Sequence, residues 1–439
     1  MPRIVEIENH VIYPEYRDFN ATTLARSHGK GIQGRVILIV KTDDGLEGLG
    51  EYWGPELDVD ALCAQYVGTD PFDWLHATEH LWMNMALYDL MGKLLGVPAW
   101  KLIGPRVRSW MPVSAWTIAQ PPAAMAEEVR QAAARGYRWI KYHVDQTNNV
   151  IAQTAAMQEA APPDFRVHYD LNANLDFYTI CPIIKELEQF WIAGRIEDPM
   201  DPQDEDGYRL LREKCKLPMI THHGPAEFMV RDVCDGYMSG HGAVGAAAKL
   251  AAVAEMTRKP LMLQNCGGVI NQAFQAHQVA VFRMATIHHV NVSNLWKEDV
   301  TVEQMPVVGS CVQVPEGPGL GVTLDRDKLA KCASQQPHER GRYLVRLRYA
   351  DGLTVCARGN PDQVRAQLRS FASVHGLQAP GSVPTYNAPV TGDYWDEGEE
   401  PEAFERWWMA TESGVAWEPS RPKGRLRPVH LSRSAGSPS

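Results

Sequence analysis

Three residues able to ligate a metal close three apolar stretches at nearly constant intervals. They are Asp170 in Arg166-Val-His-Tyr-Asp170, Glu197 in Arg195-Ile-Glu197, and His223 in Met219-Ile-Thr-His-His223. The intervals are 27 and 26 residues, close to one strand-plus-helix unit. In a closed barrel of such units the strand ends converge on one face, where the active site sits. Carboxylate oxygens and an imidazole nitrogen meeting there suit a hard or borderline divalent cation. His222 lies beside His223, and a shift of one residue exchanges them.

A second pair carries proton chemistry. Lys141-Tyr-His143 ends another apolar stretch, and strand alternation points Lys141 and His143 to the same side. A group that removes a proton next to a carboxylate should titrate near neutrality. Histidine starts there, whereas a lysine has to be depressed by several units.

These residues need a scaffold that brings strand ends together, and the surrounding pattern supplies one. From about residue 111, strands are expected at Val113–Trp116, Trp139–Val144, Val167–Leu171, Gly194–Glu197, Met219–His222, Gly236–Ser239, Leu261–Asn265 and His289–Val292. Helical stretches lie between them, such as Ala123–Arg135, Ile183–Phe190 and Ala243–Arg258. Eight strands alternating with helices argue for a parallel α/β barrel, although the helix after the fifth strand is short. Ahead of it, Arg35–Val40, a glycine-broken strand ending at Glu51, and the helix Leu81–Leu95 form a small α+β unit. The expected division is a capping domain over 1–105, a barrel over 106–325 and a C-terminal extension over 326–439. In the extension, Tyr343–Tyr349 and Leu353–Ala357 read as a hairpin and Pro361–His375 as a helix. Residues from 380 onward, rich in Pro, Gly, Ser and charge, read as an extended arm or a partly disordered segment.

Composition narrows the function classes. The chain has 439 residues, 45% hydrophobic and 22% charged, in the ordinary range of globular proteins. A net charge of −10 argues against a nucleic-acid or anionic-membrane partner. Eight scattered cysteines without a Cys-x-x-Cys pair read as free thiols in a reducing compartment. With no stretch near the ~20 apolar residues of a membrane span, the expectation is a cytoplasmic enzyme.

The chain resembles the enolase superfamily, in its mandelate racemase and muconate-lactonizing branch. The matching segments run in order: Thr42–Glu51, Met85–Pro98, Gly136–His143, the Asp170-x-Asn172 pair, Glu197-Asp-Pro199 and Gly317–Gly321. The resemblance implies an N-terminal α+β capping domain over a modified (β/α)8 barrel. It also implies Mg2+ held by side chains at the ends of the third, fourth and fifth strands. Asp170 and Glu197 fall on the first two ligand positions, and His223 on the third, where the family usually has an acid. An imidazole there favours Mn2+ or another divalent ion over Mg2+. Lys141 and His143 fall on the family's paired lysines, which implies His143 as the base and Lys141 as holder of the substrate carboxylate.

The opposite face departs from the family. Gln264 takes the position of its histidine and cannot carry a proton. A base on one face only points to abstraction of an α-proton followed by loss of a β-hydroxyl, as in sugar-acid dehydratases. A racemase, epimerase or cycloisomerase is the alternative, and a non-catalytic binding or scaffold protein the competing class. Asn172, His222, Gln264, Trp53 and His28 are the expected substrate contacts, the last two from capping-domain loops. The partners expected are a small carboxylate substrate and further copies of the chain in a homo-oligomer.

Overall fold

The computed structural model describes residues 2–28, 30–54, 58–145, 148–173, 176–358, 361–377 and 390–418. The N-terminal strands Ile4–Ile12, Arg35–Thr42 and Glu47–Trp53 form an antiparallel sheet in chain order. Helix Leu81–Leu95 packs on it with Met83, Met85, Leu87 and Leu90 buried. The glycines in the third strand allow that packing. A Cβ on Gly48 would lie 2.2 Å from Ala86 O, and one on Gly50 2.3 Å from Trp82 O.

Eight parallel strands follow: Trp110–Ile118, Trp139–His143, Arg166–Asp170, Ala193–Glu197, Met219–Thr221, Gly236–Gly240, Leu261–Gln264 and His289–Val290. The last pairs with the first, Val113 opposite His289 and Ser114 opposite Val290, and this closes the barrel. Cys311–Gln313 adds an antiparallel strand to the first barrel strand. After the fifth strand the helix is a single turn, Glu227–Val230. The helix expected from Ile183 begins at Phe177, because Asp176 caps it through Thr179 N at 2.9 Å.

Two features differ from the expected division. Helix Arg326–Ser334 returns to the capping domain, burying Leu329 and Cys332 in its core. Residues 390–418 are not an extended arm. Strand Val390–Asp396, helix Pro401–Ala410 and strand Ala416–Glu418 join the expected hairpin in a four-stranded sheet. Helix Pro361–His375 contributes Val364, Leu368 and Phe371 to a core with one face of that sheet. On the other face Trp395, Phe404 and Trp407 bury with Leu344 and Cys356. The aromatic residues therefore cover their own sheet, which explains why so polar a segment folds. Among the described residues no helix is long and apolar enough to cross a membrane.

Candidate active site at the barrel mouth

The second and third barrel strands run parallel with Lys141 opposite His168 and His143 opposite Asp170. The third and fourth continue the register with Asp170 opposite Glu197. These side chains meet inside the mouth. Lys141 Nζ lies 3.0 Å from Asp170 Oδ2 and 2.8 Å from Glu197 Oε2. It also donates to Gln264 Oε1 at 2.5 Å. His143 Nε2 lies 3.1 Å from Asp170 Oδ2, and its ring meets Trp116 edge-on at 5.3 Å. Lys141, Asp170, Glu197 and Gln264 are all buried.

Electrostatics keeps the lysine charged. Burial alone would lower its pKa, but Asp170 and Glu197 outweigh it and raise the value. Burial works against the Asp170 carboxylate too, yet Lys141 and His143 hold its pKa well below the usual range. Glu197 is pushed the other way by burial and by the neighbouring Asp170 charge. Lys141 thus sits as an ammonium between two carboxylates.

Sequence reasoning missed a buried chain behind Glu197. Arg195 Nε donates to His168 Nδ1 at 3.0 Å. The other ring nitrogen therefore carries the hydrogen, and Nε2 lies 2.8 Å from Glu197 Oε2. Burial and the Arg195 charge hold His168 well below its ordinary pKa, so it is a neutral donor. Its signal in the sequence is alternation: two residues before Asp170 and Glu197, His168 and Arg195 share their inward face.

The two neighbouring imidazoles part company. His222 turns in, with Nδ1 3.6 Å from Glu197 Oε1 and with room made by Gly240, where a Cβ would meet Nε2 at 2.0 Å. His223, expected to join Asp170 and Glu197, turns to Asp198 instead. Its Nδ1 is 2.5 Å from Asp198 Oδ2, and the side chain is 56% exposed. Asp198 causes the split. Sitting at φ 42, it accepts from His222 N at 2.8 Å and from His223 N at 3.2 Å, and so shapes the turn after the fifth strand. Burial pushes His222 down to about 4, leaving it neutral, whereas the Asp198 hydrogen bond raises His223.

The remaining expected contacts lie around this centre. Asn172 takes a left-handed turn at φ 51 and donates its backbone N–H to Asp170 Oδ1 at 3.0 Å, so it orients that carboxylate. Trp53 reaches from the capping domain and stacks on His241 with ring centres 5.7 Å apart. The side chain of His28 lies outside the described residues.

A divalent cation suits this donor set. Two buried carboxylates, Asp170 and Glu197, share the one ammonium of Lys141, while the buried Asp198 pairs with His223, and carboxylate oxygens gathered in this way are the ligands a hard divalent cation takes. The 3.6 Å gap between His222 Nδ1 and Glu197 Oε1 is too long for a hydrogen bond. It is close to the ~3–3.5 Å that separates two donors on one ion. A second arrangement is also available, since ligand atoms of Asp198, His222 and His223 all lie within 4.8 Å of one another.

Comparison with known proteins gives this geometry a context. Residues 124–328 match the enolase C-terminal domain-like family. The chain is 24% identical over 364 residues to a D-xylonate dehydratase from Haloferax volcanii, covering 71% of this chain and 88% of that one. It is 23% identical over 373 residues to a D-galactonate dehydratase from Xanthomonas oryzae pv. oryzae, covering 72% and 95%. The fold superposes on the crystal structure of muconate cycloisomerase from Pseudomonas fluorescens with a TM-score of 0.63 and 21% identity, over 76% of this chain and 100% of that one.

Proposed function

We propose that this chain, whose barrel belongs to the mandelate racemase and muconate-lactonizing branch of the enolase superfamily, is a sugar-acid dehydratase dependent on a divalent metal ion. The observation that carries the reading is the one-sided placement of proton chemistry. His143 stands beside Asp170, while Gln264, bonded to Lys141, cannot take a proton.

Asp170, Glu197 and His222 would hold the ion, with Mg2+ or Mn2+ the candidates and His222 shifting preference toward Mn2+. The ion would supply positive charge to the substrate carboxylate as enediolate charge develops. His143 takes the α-proton, and the Asp170 carboxylate against its Nε2 stabilises the imidazolium that results. The same imidazolium can then give the proton to the departing β-hydroxyl, which leaves as water. Lys141, held charged between two carboxylates, sets the field in which that carboxylate binds. Trp53, stacked on His241, would bound the substrate side from the capping domain. The dehydratase relatives support an acid sugar as the substrate class.

The test is a panel of sugar acids incubated with enzyme and Mn2+ in D2O, followed for α-deuterium and for a keto-acid product. Keto acid from at least one member is the expected result. Epimerised acid without keto product would move the reading to an epimerase, and no exchange across the panel would remove it.

A further inference from the structure

The C-terminal sheet unit touches the rest of the molecule at a functionally sensitive place. Helix Ala21–His28 and the short helix Lys30–Gln33 lie over the barrel strands. Leu24 and Ile32 are buried in one cluster with Trp116, Ile118, Met238 and Met262 of the barrel strands. Trp116 in turn touches His143, and Met238 Sδ lies 3.8 Å from Lys141 Nζ. An eight-residue helix is marginal by itself, since isolated helices below ~12–15 residues do not hold in water. Its geometry must come from its anchors.

Two anchors are visible, one at each end. At the start, Asn20 Nδ2 donates to the buried Glu128 Oε1 of the barrel at 3.0 Å. Near the end, Arg26 is gripped by the C-terminal sheet. Its guanidinium pairs with Asp396 and lies over the Tyr343 ring at 5.3 Å, while Tyr343 Oη donates to Arg26 O at 2.9 Å. Tyr343 and Asp396 are opposite one another in the sheet register, so one rung of the C-terminal unit takes one residue of the helix. The chain leading into the unit follows the same path. Gln335 Nε2 donates to Glu15 Oε1 at 2.9 Å and His338 N to Gln33 Oε1 at 2.7 Å.

We propose that the C-terminal sheet unit is an intramolecular clamp on helix Ala21–His28. Arg26, clipped between Tyr343 and Asp396, sets how closely that helix packs on the barrel strands and hence the fit of the substrate end remote from the metal. The effect on substrate rests on the proposed activity, but the clamp itself does not.

The test uses the full-length protein with Asp396→Asn, and Arg26→Glu with and without Asp396→Arg. Asp396 lies at the end of a strand, outside the barrel, so its neutral variant should keep the global melting temperature. Amide exchange of residues 21–28 is expected to speed up about fivefold or more in Asp396→Asn, the scale of one part-buried ion pair. It should speed up in Arg26→Glu and slow again in the exchanged-charge double variant. With any acid that is turned over, KM should rise severalfold while kcat moves less, because His143 and Lys141 are untouched. Unchanged exchange of residues 21–28 in Asp396→Asn would overturn the clamp. Faster exchange in a protein that turns over no acid would uphold the clamp and remove the activity.

Discussion

Lys141 and Glu197 meet at the centre of the barrel mouth with Nζ 2.8 Å from Oε2, and neither side chain reaches solvent. Each of the other groups in the site is positioned relative to this pair. Asp170 shares the ammonium, His168 meets the same Glu197 Oε2, and His222 faces the other oxygen, Oε1. Removing one member of a buried charge pair leaves the other uncompensated, which is the expensive case.

Replacing Lys141 with Met should therefore destabilise the fold strongly, by about 3–5 kcal/mol. Excess Mn2+ should restore part of the loss, because a cation would again face Asp170 and Glu197. Urea unfolding with and without Mn2+ measures both effects. A midpoint unmoved by the substitution would show that the pair does not hold the mouth together.

His143→Asn should remove α-proton exchange by a factor of roughly 10²–10⁴, the usual contribution of a positioned acid–base group. Metal affinity should fall far less than exchange, since His143 contacts the Asp170 carboxylate without being one of the proposed ligands. Deuterium incorporation followed by NMR, next to a metal titration, separates the two. Exchange at the parent rate would move the base elsewhere.

The two adjacent imidazoles should differ. His222→Ala is expected to weaken Mn2+ binding by more than about a hundredfold, beyond the ~10–100-fold seen when only a supporting residue is lost. His223→Ala should change it little. Equal losses in both variants, accompanied by one in Asp198→Asn, would assign the ion to Asp198, His222 and His223 instead.

Buried neutral histidines set an acid limit. His277 is buried with Nε2 3.1 Å from Leu320 O, and burial pushes it down to about 4. Above its ordinary value near 6.5 it contributes nothing to pH dependence. Between that value and about 4 the unfolded chain takes up a proton that the folded one refuses. Stability then falls with falling pH by about 1.4 kcal/mol per unit for each such group. His289, pushed down to about 3, adds to the slope. His277→Gln should make the pH 4–6.5 slope shallower by about one proton, read from urea midpoints across that range. A slope identical to the parent's would rule out His277 as a contributor.

The barrel, and the meeting of four candidate residues at its mouth, were legible in the sequence for a local reason. Strand alternation fixes which side chains share a face, and the strand-plus-helix repeat brings successive strand ends to one rim. Lys141, His143, Asp170 and Glu197 all sit within strands, so both rules reach them, as they do His168 and Arg195 once the face is followed inward. Past the end of a strand alternation stops. Whether His222 or His223 turns inward depends on Asp198, whose left-handed backbone holds the turn, and on the space above Gly240. The C-terminal residues show the same limit over a longer range. The sheet that the C-terminal tryptophans cover, and its grip on Arg26, join residues far apart in the chain, Arg26 and Tyr343 being 317 positions apart and Arg26 and Asp396 farther still. Contacts across such distances arise from packing surfaces that exist only after each unit has folded, and so the tertiary structure alone decided them.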